Sequence, residues 1–365
     1  MSDPGFGTYV HIPFCAQRCD YCAFVTYTDA EDLERRYVDA VLAEMGRSPV
    51  LPASTSAFFG GGTPSHLPVE MLAELVGALH LAPGAEVTVE MNPEDVSAST
   101  LAALVSAGVT RVSIGIQSTA DHVLASLGRT HRGDAVRTLC ETVAAAGLTS
   151  WSMDLIAGAV GESDEDLRRS IADVLDHDAA PPHLSAYLLT VERGTPLSRD
   201  RARHPDEDVL AGRYEILDAE LSERGYGWYE VSNWARPGHA CRHNQLYWDG
   251  GDYVGFGAAA HSHRDGVRSW NLANLTAYLD AIESGRSPES GSEELTDEQR
   301  HLERLSLALR TRRGIERPPG GVPDGLEGLL VEDGGRLVLT LRGRLLADAV
   351  LGRLVGSGVG AEVAR

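Results

Sequence analysis

Short runs of β-branched and aromatic residues alternate with amphipathic stretches along the first half of this chain, and no other feature limits its fold as much. The runs predict six strands, which are Thr8–Ile12, Thr55–Phe59, Glu86–Met91, Arg111–Ile116, Ser150–Ile156 and His183–Leu189. The stretches between them predict five helices, which are Leu33–Met45, Val69–Leu79, Thr100–Ala107, Val136–Ala146 and Glu165–Val174. Strands that alternate with helices build a parallel sheet with right-handed crossovers. The pattern therefore predicts an α/β fold, either an open doubly wound sheet or part of a barrel.

The charge of the chain excludes two classes of protein. Its formal net charge at pH 7 is −21, and all 32 of its basic residues are arginine. A surface this acidic repels phosphate, so we expect no nucleic-acid partner. A nucleotide site of the Walker type needs a lysine, and the sequence has none.

The amino terminus and the hydropathy pattern bear on the location of the protein. Met1–Phe14 lacks the basic stretch and apolar core of a secretory signal. No run in the sequence approaches the roughly 18 apolar residues that span a bilayer. We therefore expect a cytoplasmic protein with no transmembrane segment, in which thiols stay reduced.

The last quarter of the chain has its own pattern. Residues 287–294 are polar and rich in residues that break secondary structure, which predicts a linker. Thr296 and Gln299 have capping-box spacing ahead of an apolar helix, and Asp333-Gly334 predicts a hairpin turn between two apolar runs. With a further helix from Thr340, the order of helix, hairpin and helix resembles a winged-helix module. Because its charges nearly balance, we interpret it as a structural or partner-docking unit rather than a DNA-binding one.

Three of the five cysteines lie in the string Cys15-Ala-Gln-Arg-Cys19-Asp-Tyr-Cys22, directly after the first predicted strand. Thiolates are soft ligands that bind zinc or iron–sulfur clusters. Structural zinc needs four ligands, usually from two paired motifs, and the sequence has no second pair. A redox pair of Cys19 and Cys22 leaves Cys15 unexplained. We therefore favour a four-iron cluster, in which three thiolates leave one iron open to a ligand.

Glycines and polar residues recur at the carboxyl ends of the predicted strands, which meet at one rim of a parallel sheet or barrel. Gly60-Gly61-Gly62-Thr63 follows the second strand, and consecutive glycines let the backbone approach a ligand closely. The other candidates on this rim are Glu90, Gln117, Arg129 and Asp154. Each alone is typical of a cap or a turn. Together they supply carboxylates for an amine and for hydroxyls, and a guanidinium for a carboxylate.

The spacing C-x3-C-x2-C resembles the radical SAM superfamily, and four strings resemble the oxygen-independent coproporphyrinogen oxidase family in its broad sense. The strings are Tyr9-Val-His11-Ile-Pro13-Phe14-Cys15, Phe59-Gly-Gly-Gly-Thr-Pro-Ser65, Ser113-Ile-Gly-Ile-Gln117-Ser118 and Arg242-His-Asn-Gln-Leu-Tyr-Trp248. The resemblance implies that Cys15, Cys19 and Cys22 hold a 4Fe-4S cluster. The residues that it implies for S-adenosylmethionine are Tyr9, Gly61, Gly62, Thr63, Glu90, Gln117, Arg129 and Asp154.

The same resemblance implies the architecture, which periodicity alone leaves open. The family fold is an incomplete (β/α)6 barrel followed by a small C-terminal domain. We accordingly predict the barrel at residues 1–225, an extension with the 242–248 string and a linker at 226–290, and the C-terminal domain at 291–365. The resemblance also implies an electron donor for the cluster.

Two branches of the family differ in function. The oxidase branch decarboxylates two propionates of coproporphyrinogen III, has a fourth cysteine two positions after the third, and carries a long N-terminal segment. Here Phe24 stands at that position, and only 14 residues precede Cys15. Both departures favour the heme-chaperone branch, whose implied partners are heme and a heme-accepting protein; the oxidase is the alternative. The loop that follows Asp154, residues 155–162, departs from the usual pattern of both branches.

His243 is the candidate heme ligand, because imidazole is the usual axial ligand of heme iron. The alternative is a histidine whose hydrogen bonds are satisfied by the surrounding chain. Cys241 is a second candidate ligand, and Tyr247 and Trp248 supply flat apolar faces for a porphyrin. Turn residues bracket the segment Cys241–Trp248, so we predict a loop beside the barrel rim rather than a core element.

Overall fold

The structure is a computed structural model, and it describes residues 5–318 and 321–356. Residues 1–4, 319–320 and 357–365 lie outside it, and with them both ends of the predicted domain scheme. Within the described part, no helix is both long enough and apolar enough to cross a bilayer.

The first half of the chain contains the six predicted strands. They are β1 (Phe6–Ile12), β2 (Ser54–Gly61), β3 (Leu81–Met91), β4 (Arg111–Gln117), β5 (Ser150–Ala157) and β6 (His183–Leu188). The helices that follow them are α1 (Glu34–Arg47), α2 (Val69–Gly77), α3 (Ala98–Ala107), α4 (Asp121–Ser126), α5 (Val136–Ala144) and α6 (Asp164–Leu175). The strands formed where predicted because most of their residues are buried, as in β5, where seven of eight are buried.

The order of the strands decides between the two α/β folds that the sequence left open. β1 to β6 are parallel and lie side by side in chain order. A doubly wound sheet would reverse direction at a switch point, and this order has none. In the described residues the two edge strands of the sheet do not pair with each other. The fold is therefore an incomplete (β/α)6 barrel, as predicted.

The chain between residues 189 and 295 extends this sheet at both edges. Its elements are α7 (Pro196–Arg199), α8 (Glu207–Glu223), β7 (Gly227–Glu230), β8 (Asn233–Ala235), α9 (Arg242–Trp248), β9 (Asp252–Phe256), β10 (His261–Arg264), β11 (Val267–Asn271), α10 (Leu275–Glu283) and β12 (Glu289–Glu294). β8 lies antiparallel beside β6, and β9 lies parallel beside β1. The sheet of twelve strands runs in the order β12-β11-β10-β9-β1-β2-β3-β4-β5-β6-β8-β7.

The prediction of a linker at residues 287–294 is wrong, because residues 289–294 form strand β12. This strand pairs along β11 and lies at the edge of the sheet. Its side chains are mostly exposed, so it carries no apolar alternation by which a strand is recognised. Backbone hydrogen bonds to one neighbour are enough for an edge strand, and acidic residues such as Glu293 discourage pairing on its open side.

The C-terminal unit contains α11 (Asp297–Leu309), β13 (Ile315–Glu316), β14 (Leu330–Asp333), β15 (Arg336–Leu339), α12 (Leu341–Leu345) and α13 (Ala347–Val355). The predicted capping box is present, since Thr296 accepts from the Gln299 N–H and the Gln299 side chain accepts from the Thr296 N–H. The three strands form a separate small sheet. Residues from its helices and strands, including Leu309, Leu337 and Val350, form a core of their own. The boundaries at 225 and 290 stay predictions.

Candidate functional site

A loop after β1 presents the three clustered cysteines at the carboxyl end of the barrel strands. The start and end of this cysteine loop, residues 13–27, are joined by two backbone hydrogen bonds, Cys15 N–H to the Tyr27 carbonyl (3.0 Å) and Tyr27 N–H to the Pro13 carbonyl (2.7 Å). Cys15, Cys19 and Cys22 are free thiols, and all three are partly exposed. The loop is therefore a closed turn that keeps its three sulfur atoms accessible.

Two polar side chains from other strand ends contact these sulfur atoms. The Thr63 hydroxyl lies 3.4 Å from Cys15 Sγ, and Arg129 Nη1 lies 3.5 Å from Cys19 Sγ. Both groups donate hydrogen bonds, which stabilises a thiolate more than a thiol. Burial nevertheless raises the pKa of Cys15 to about 11 and raises that of Cys22 as well. The thiolates therefore need further positive charge, which bound iron would supply.

The donor types of the cysteine loop fit an iron–sulfur cluster. Three thiols that lie close together are the usual ligands of such clusters. In residues 5–318 and 321–356, no group of three His, Cys, Asp or Glu side chains is arranged to hold a single metal ion. The fit to a cluster accordingly rests on the soft thiolate donors and on the arginine beside them.

The glycines at the end of β2 are required by close contact with the end of β1 and the start of the cysteine loop. Gly61 has φ +111°, and a Cβ there would lie 2.3 Å from the His11 ring. A Cβ on Gly62 would lie 2.7 Å from the Phe14 carbonyl oxygen. The Gly62 N–H donates to the Ile12 carbonyl at 2.8 Å. The glycine run thus packs directly against the backbone that leads into the cysteines.

Two half-buried carboxylates face one cavity at the strand ends. Glu90 accepts from the Gly61 N–H (3.3 Å), and Asp154 accepts from the Ser113 hydroxyl (3.1 Å to each oxygen) and from Ser152 (3.3 Å). Burial, and then the charge of Asp154, raise the pKa of Glu90 to about 8. Burial also raises the pKa of Asp154. A cationic group between these side chains would lower both pKa values and stabilise the carboxylate forms.

The cavity between these carboxylates, called the smaller cavity below, has a volume of about 210 Å³. Four residues of the predicted set line it: Tyr9, Gly61, Glu90 and Asp154. Phe24 also lines it and is 66% exposed. Thr63 and Gly62 do not line the cavity and lie instead against the cysteine loop. The structure therefore divides the predicted residues between two neighbouring places on one rim.

Arg129 and Gln117 lie together at the end of β4. The guanidinium of Arg129 donates to Asn92 Oδ1 (3.0 Å) and to the Gly115 carbonyl. A Cβ on Gly115 would lie 2.7 Å from Gln117 Nε2 and 3.6 Å from Arg129 Nη2, so both side chains are close to this glycine. Gln117 itself has φ +60°, an uncommon conformation for a residue with a side chain.

The segment Cys241–Trp248 is a helix in the core, so the prediction of a loop is wrong. α9 packs on β1 and β2, and His243 is 0% exposed. Buried Glu86 accepts from the His243 N–H (3.1 Å) at the first turn, where a carboxylate stabilises the helix. The sequence contains one sign of this helix: His243 and Leu246, both buried, are three positions apart, as residues on one helix face are.

Both ring nitrogens of His243 have partners. Nδ1 lies 3.0 Å from Ser56 Oγ and Nε2 lies 2.9 Å from the Tyr247 hydroxyl, while the ring stacks on Phe58 at 5.4 Å. Burial lowers the pKa of His243 to about 3, so the ring is neutral. A heme ligand at this position stays a prediction, and it would require the imidazole to give up one of these partners. Cys241 is buried as well, and its pKa is raised to about 12.

A larger cavity of about 510 Å³ adjoins the smaller one, and the sequence did not predict most of its residues. Tyr187, Asn244 and Tyr247 line both cavities. Tyr187 follows the rule that identified the other rim residues, since it lies near the end of β6. Arg310 and Arg344 come from the C-terminal unit, and no local pattern marks them.

The sequence matches known proteins over nearly its whole length. The profile of the radical SAM superfamily matches residues 9–174. The chain is 43% identical to the heme chaperone HemW of Mycobacterium tuberculosis, over 98% of this chain and 96% of that protein. It is 33% identical to the heme chaperone HemW of Bacillus subtilis, over 95% of this chain and 98% of that protein.

One solved structure has the same fold throughout. The coproporphyrinogen III oxidase HemN of Escherichia coli superposes with a TM-score of 0.83, over 96% of this chain and 89% of that one. The sequence identity is 21%, so this likeness concerns the fold alone. The identity to the HemW proteins is higher and also covers both chains almost completely. This chain belongs to the HemW family within the radical SAM superfamily.

Proposed function

We propose that this chain is a heme chaperone that binds a 4Fe-4S cluster, S-adenosylmethionine and heme, and that it delivers the heme to an acceptor protein. The observation that carries the proposal is that the cysteine loop, the pair of half-buried carboxylates and the larger cavity share one rim of the barrel. Adjoining cavities suit a protein that holds two different small molecules next to each other.

In this proposal Cys15, Cys19 and Cys22 hold the cluster. When bound, the cluster supplies an open iron for S-adenosylmethionine and a store for one electron, which an electron donor would provide. Thr63 and Arg129 donate to the thiolates of Cys15 and Cys19. These two residues keep the sulfur atoms oriented and offset part of their negative charge.

The rim residues give each polar group of S-adenosylmethionine a partner. Glu90 and Asp154 carry the negative charge that an ammonium group and ribose hydroxyls require. Arg129, held by Asn92, lies between the cysteine loop and Gln117, where it can pair with a carboxylate. Tyr9 closes the same cavity, and the glycines 61 and 62 allow the ligand to approach the backbone. These roles belong to the proposal.

The heme, its acceptor and a place in the cytoplasm belong to the same proposal. The HemW relatives are named heme chaperones, which supports heme as the cargo. The cysteines in the described part of the chain are free thiols, as a reducing compartment favours. The acceptor is a protein that uses heme, since a chaperone for heme has to release it to such a protein.

Anaerobic reconstitution followed by heme titration tests the proposal. Wild-type protein should hold four irons per chain and give a new Soret band that saturates at one heme per chain. Replacing Cys15, Cys19 and Cys22 together by serine should remove the cluster. The matched control is Cys140→Ser, because Cys140 is buried outside the cysteine loop and contacts Met153. Zinc in place of iron, or no saturable Soret band, would contradict the proposal.

The oxidase alternative predicts a different outcome with coproporphyrinogen III. We expect no turnover, because Phe24 replaces the additional cysteine of the oxidase branch and fills one wall of the smaller cavity. The measurement is chromatography of the porphyrins after anaerobic incubation with S-adenosylmethionine and a reductant. Protoporphyrinogen above background would establish the oxidase in place of the chaperone.

A further inference from the structure

The larger cavity lies between the sheet edge at β6 and β8 and the C-terminal unit. Its walls include Tyr187 and Asn233 from the sheet, Trp248 from α9, and Arg310 and Arg344 from the C-terminal unit. Its volume of about 510 Å³ is within the range of about 300–1,000 Å³ that small-molecule and cofactor sites occupy. The cavity is therefore large enough for a cofactor-sized ligand.

Two polar atoms of its wall are buried without a hydrogen-bond partner. Within residues 5–318 and 321–356, Asn233 Oδ1 and Arg344 Nε have none. The amide of Asn233, 2% exposed, is fixed by the bond from its Nδ2 to Glu230 (2.8 Å), so its oxygen remains the unpaired atom. Buried polar atoms of proteins are nearly always paired, and each unpaired one costs about 1–3 kcal/mol. Both atoms thus lie in the cavity wall, just beneath its surface, with hydrogen-bonding capacity that the protein does not use.

The wall also has an arginine that can serve a ligand without loss to its protein partner. Arg310 donates from Nε (3.0 Å) and Nη2 (2.9 Å) to a single oxygen of Glu230. Glu230 is almost completely buried and also accepts from the Ser232 N–H (2.9 Å) and from Asn233. The Arg310 side chain is 41% exposed. Its guanidinium carries further N–H groups, which can reach a ligand carboxylate while Nε keeps its bond to Glu230.

Aromatic rings supply flat surfaces elsewhere in the wall. Tyr187 is partly exposed, and Trp248 is held edge-on against Tyr229 with a ring separation of 5.7 Å. Arg344 lies over the Trp228 ring at 4.4 Å and donates to Asp218 (2.8 Å), so its guanidinium is fixed. Ring faces beside fixed guanidinium groups recognise a planar apolar ligand with carboxylates at its edge.

We propose that the heme carried by this chain lies in the larger cavity, with one propionate on Arg310 and the other on Arg344. The inference rests on the proposed function, since it takes heme as the cargo. Nε of Arg344 is a donor without an acceptor and Oδ1 of Asn233 is an acceptor without a donor, so a small shift of these side chains on binding would pair the first with a carboxylate oxygen and the second with a water molecule. Tyr247 and Asn244 separate the heme from the ligand of the smaller cavity.

The test is hemin titration of a paired variant that removes charge but keeps a hydrogen bond. In Glu230→Gln/Arg310→Gln, two amides replace the ion pair, and the net charge is unchanged. The matched control is Asp249→Asn/Arg313→Gln, because this ion pair also joins α9 to the C-terminal unit but does not line the cavity. We expect the first variant to bind hemin about ten-fold or more weakly, as for the loss of a charge-assisted hydrogen bond, and the control to match wild type.

A second measurement uses wild-type protein alone. The dimethyl ester of hemin lacks the propionate charges and should bind about ten-fold or more weakly than hemin, with little difference between wild type and the Gln/Gln variant. If that variant fails to fold, the ester comparison decides. Hemin and its ester binding equally well to wild type would overturn the inference, and so would wild-type hemin affinity in a folded variant. Wild-type protein that binds no hemin would instead refute the proposed function, and the inference with it.

Discussion

Replacement of Gly62 by alanine tests whether the glycine run holds the cysteine loop in position. A Cβ at residue 62 would lie 2.7 Å from the Phe14 carbonyl oxygen and 2.8 Å from the Ile12 carbonyl oxygen. Both are backbone atoms, so no side-chain rotation relieves the overlap. The φ of Gly62 lies outside the left-handed region, so the effect of the methyl group is steric. The backbone that leads into Cys15 must move.

The magnitude follows from two contributions. Overpacking of a tight site costs about 1–3 kcal/mol. The same movement lengthens the bonds from Gly62 N–H to Ile12 and from Thr63 N–H to Phe14, both 2.8 Å, and each is worth about 0.5–1.5 kcal/mol. We expect the free energy of unfolding to fall by about 2–6 kcal/mol. Since Thr63 also contacts Cys15, we expect the variant to retain less iron.

The assay is urea denaturation, together with iron content after anaerobic reconstitution. The matched control is Gly46→Ala, because Gly46 is exposed in α1 and a Cβ there would have no atom within 4 Å. That control should gain up to about 1 kcal/mol from the helix propensity of alanine and keep its iron. Wild-type stability and wild-type iron content in Gly62→Ala would refute the reasoning.

Three further predictions concern single side chains. Arg129→Ala should weaken S-adenosylmethionine binding to cluster-loaded protein by about 1.5–3 kcal/mol, measured by calorimetry, because a charge-assisted bond is lost; equal affinity would mean that Arg129 does not bind the ligand. His243→Gln should lessen the loss of stability in acid. The pKa of His243 is about 3 in the folded protein, so between pH 6.5 and that value only the unfolded chain takes up this proton. The free energy of unfolding of wild type should therefore fall by about 1 kcal/mol per pH unit below pH 6.5. Urea midpoints that fall equally in both proteins between pH 7 and 5 would contradict this. Glu44→Ala should lower the free energy of unfolding by about 2 kcal/mol or more, because two buried donors, the Gly257 N–H and the Tyr278 hydroxyl, lose their acceptor. Exposed Glu70→Ala is its control, and a similar stability of both variants would show that the network contributes little.

The strands and the cysteine loop could be predicted because their causes are local. The barrel strands are rich in buried residues, and the ends of parallel strands share one rim, so the sequence predicts Glu90 and Asp154 on that rim. The contact of Gly62 with the cysteine loop follows from two neighbouring parallel strands, β1 and β2, that end at the same level. Local sequence pattern and the shared rim together predicted four of the residues that line the smaller cavity.

Other parts of the fold depend on contacts that no local pattern contains. Strand β12 has polar side chains on both faces and exists through backbone pairing with β11. Helix α9 carries a buried histidine, and it is fixed by Glu86, more than 150 positions away. Burial of a polar residue requires partners from elsewhere in the chain, so the sequence around His243 reads as a surface loop.

The larger cavity was missed for a related reason. Its walls come from β6, β8, α9 and the C-terminal unit, and Arg310 meets Glu230 across 80 positions of the sequence. Of these residues, Tyr187 could have been found, because it lies near the end of the sixth barrel strand. No local pattern identifies Arg344, because its position in the cavity wall depends on how α12 packs against α8.

Heme transfer is the measurement that tests the account most directly. Protein loaded with cluster and one heme per chain is mixed anaerobically with a heme-free b-type cytochrome, with and without S-adenosylmethionine, and the spectrum of the cytochrome is followed. The account predicts stoichiometric transfer that is faster than from a heme–albumin complex at equal concentration. Heme that stays on this chain, or transfer no faster than from albumin, would contradict it.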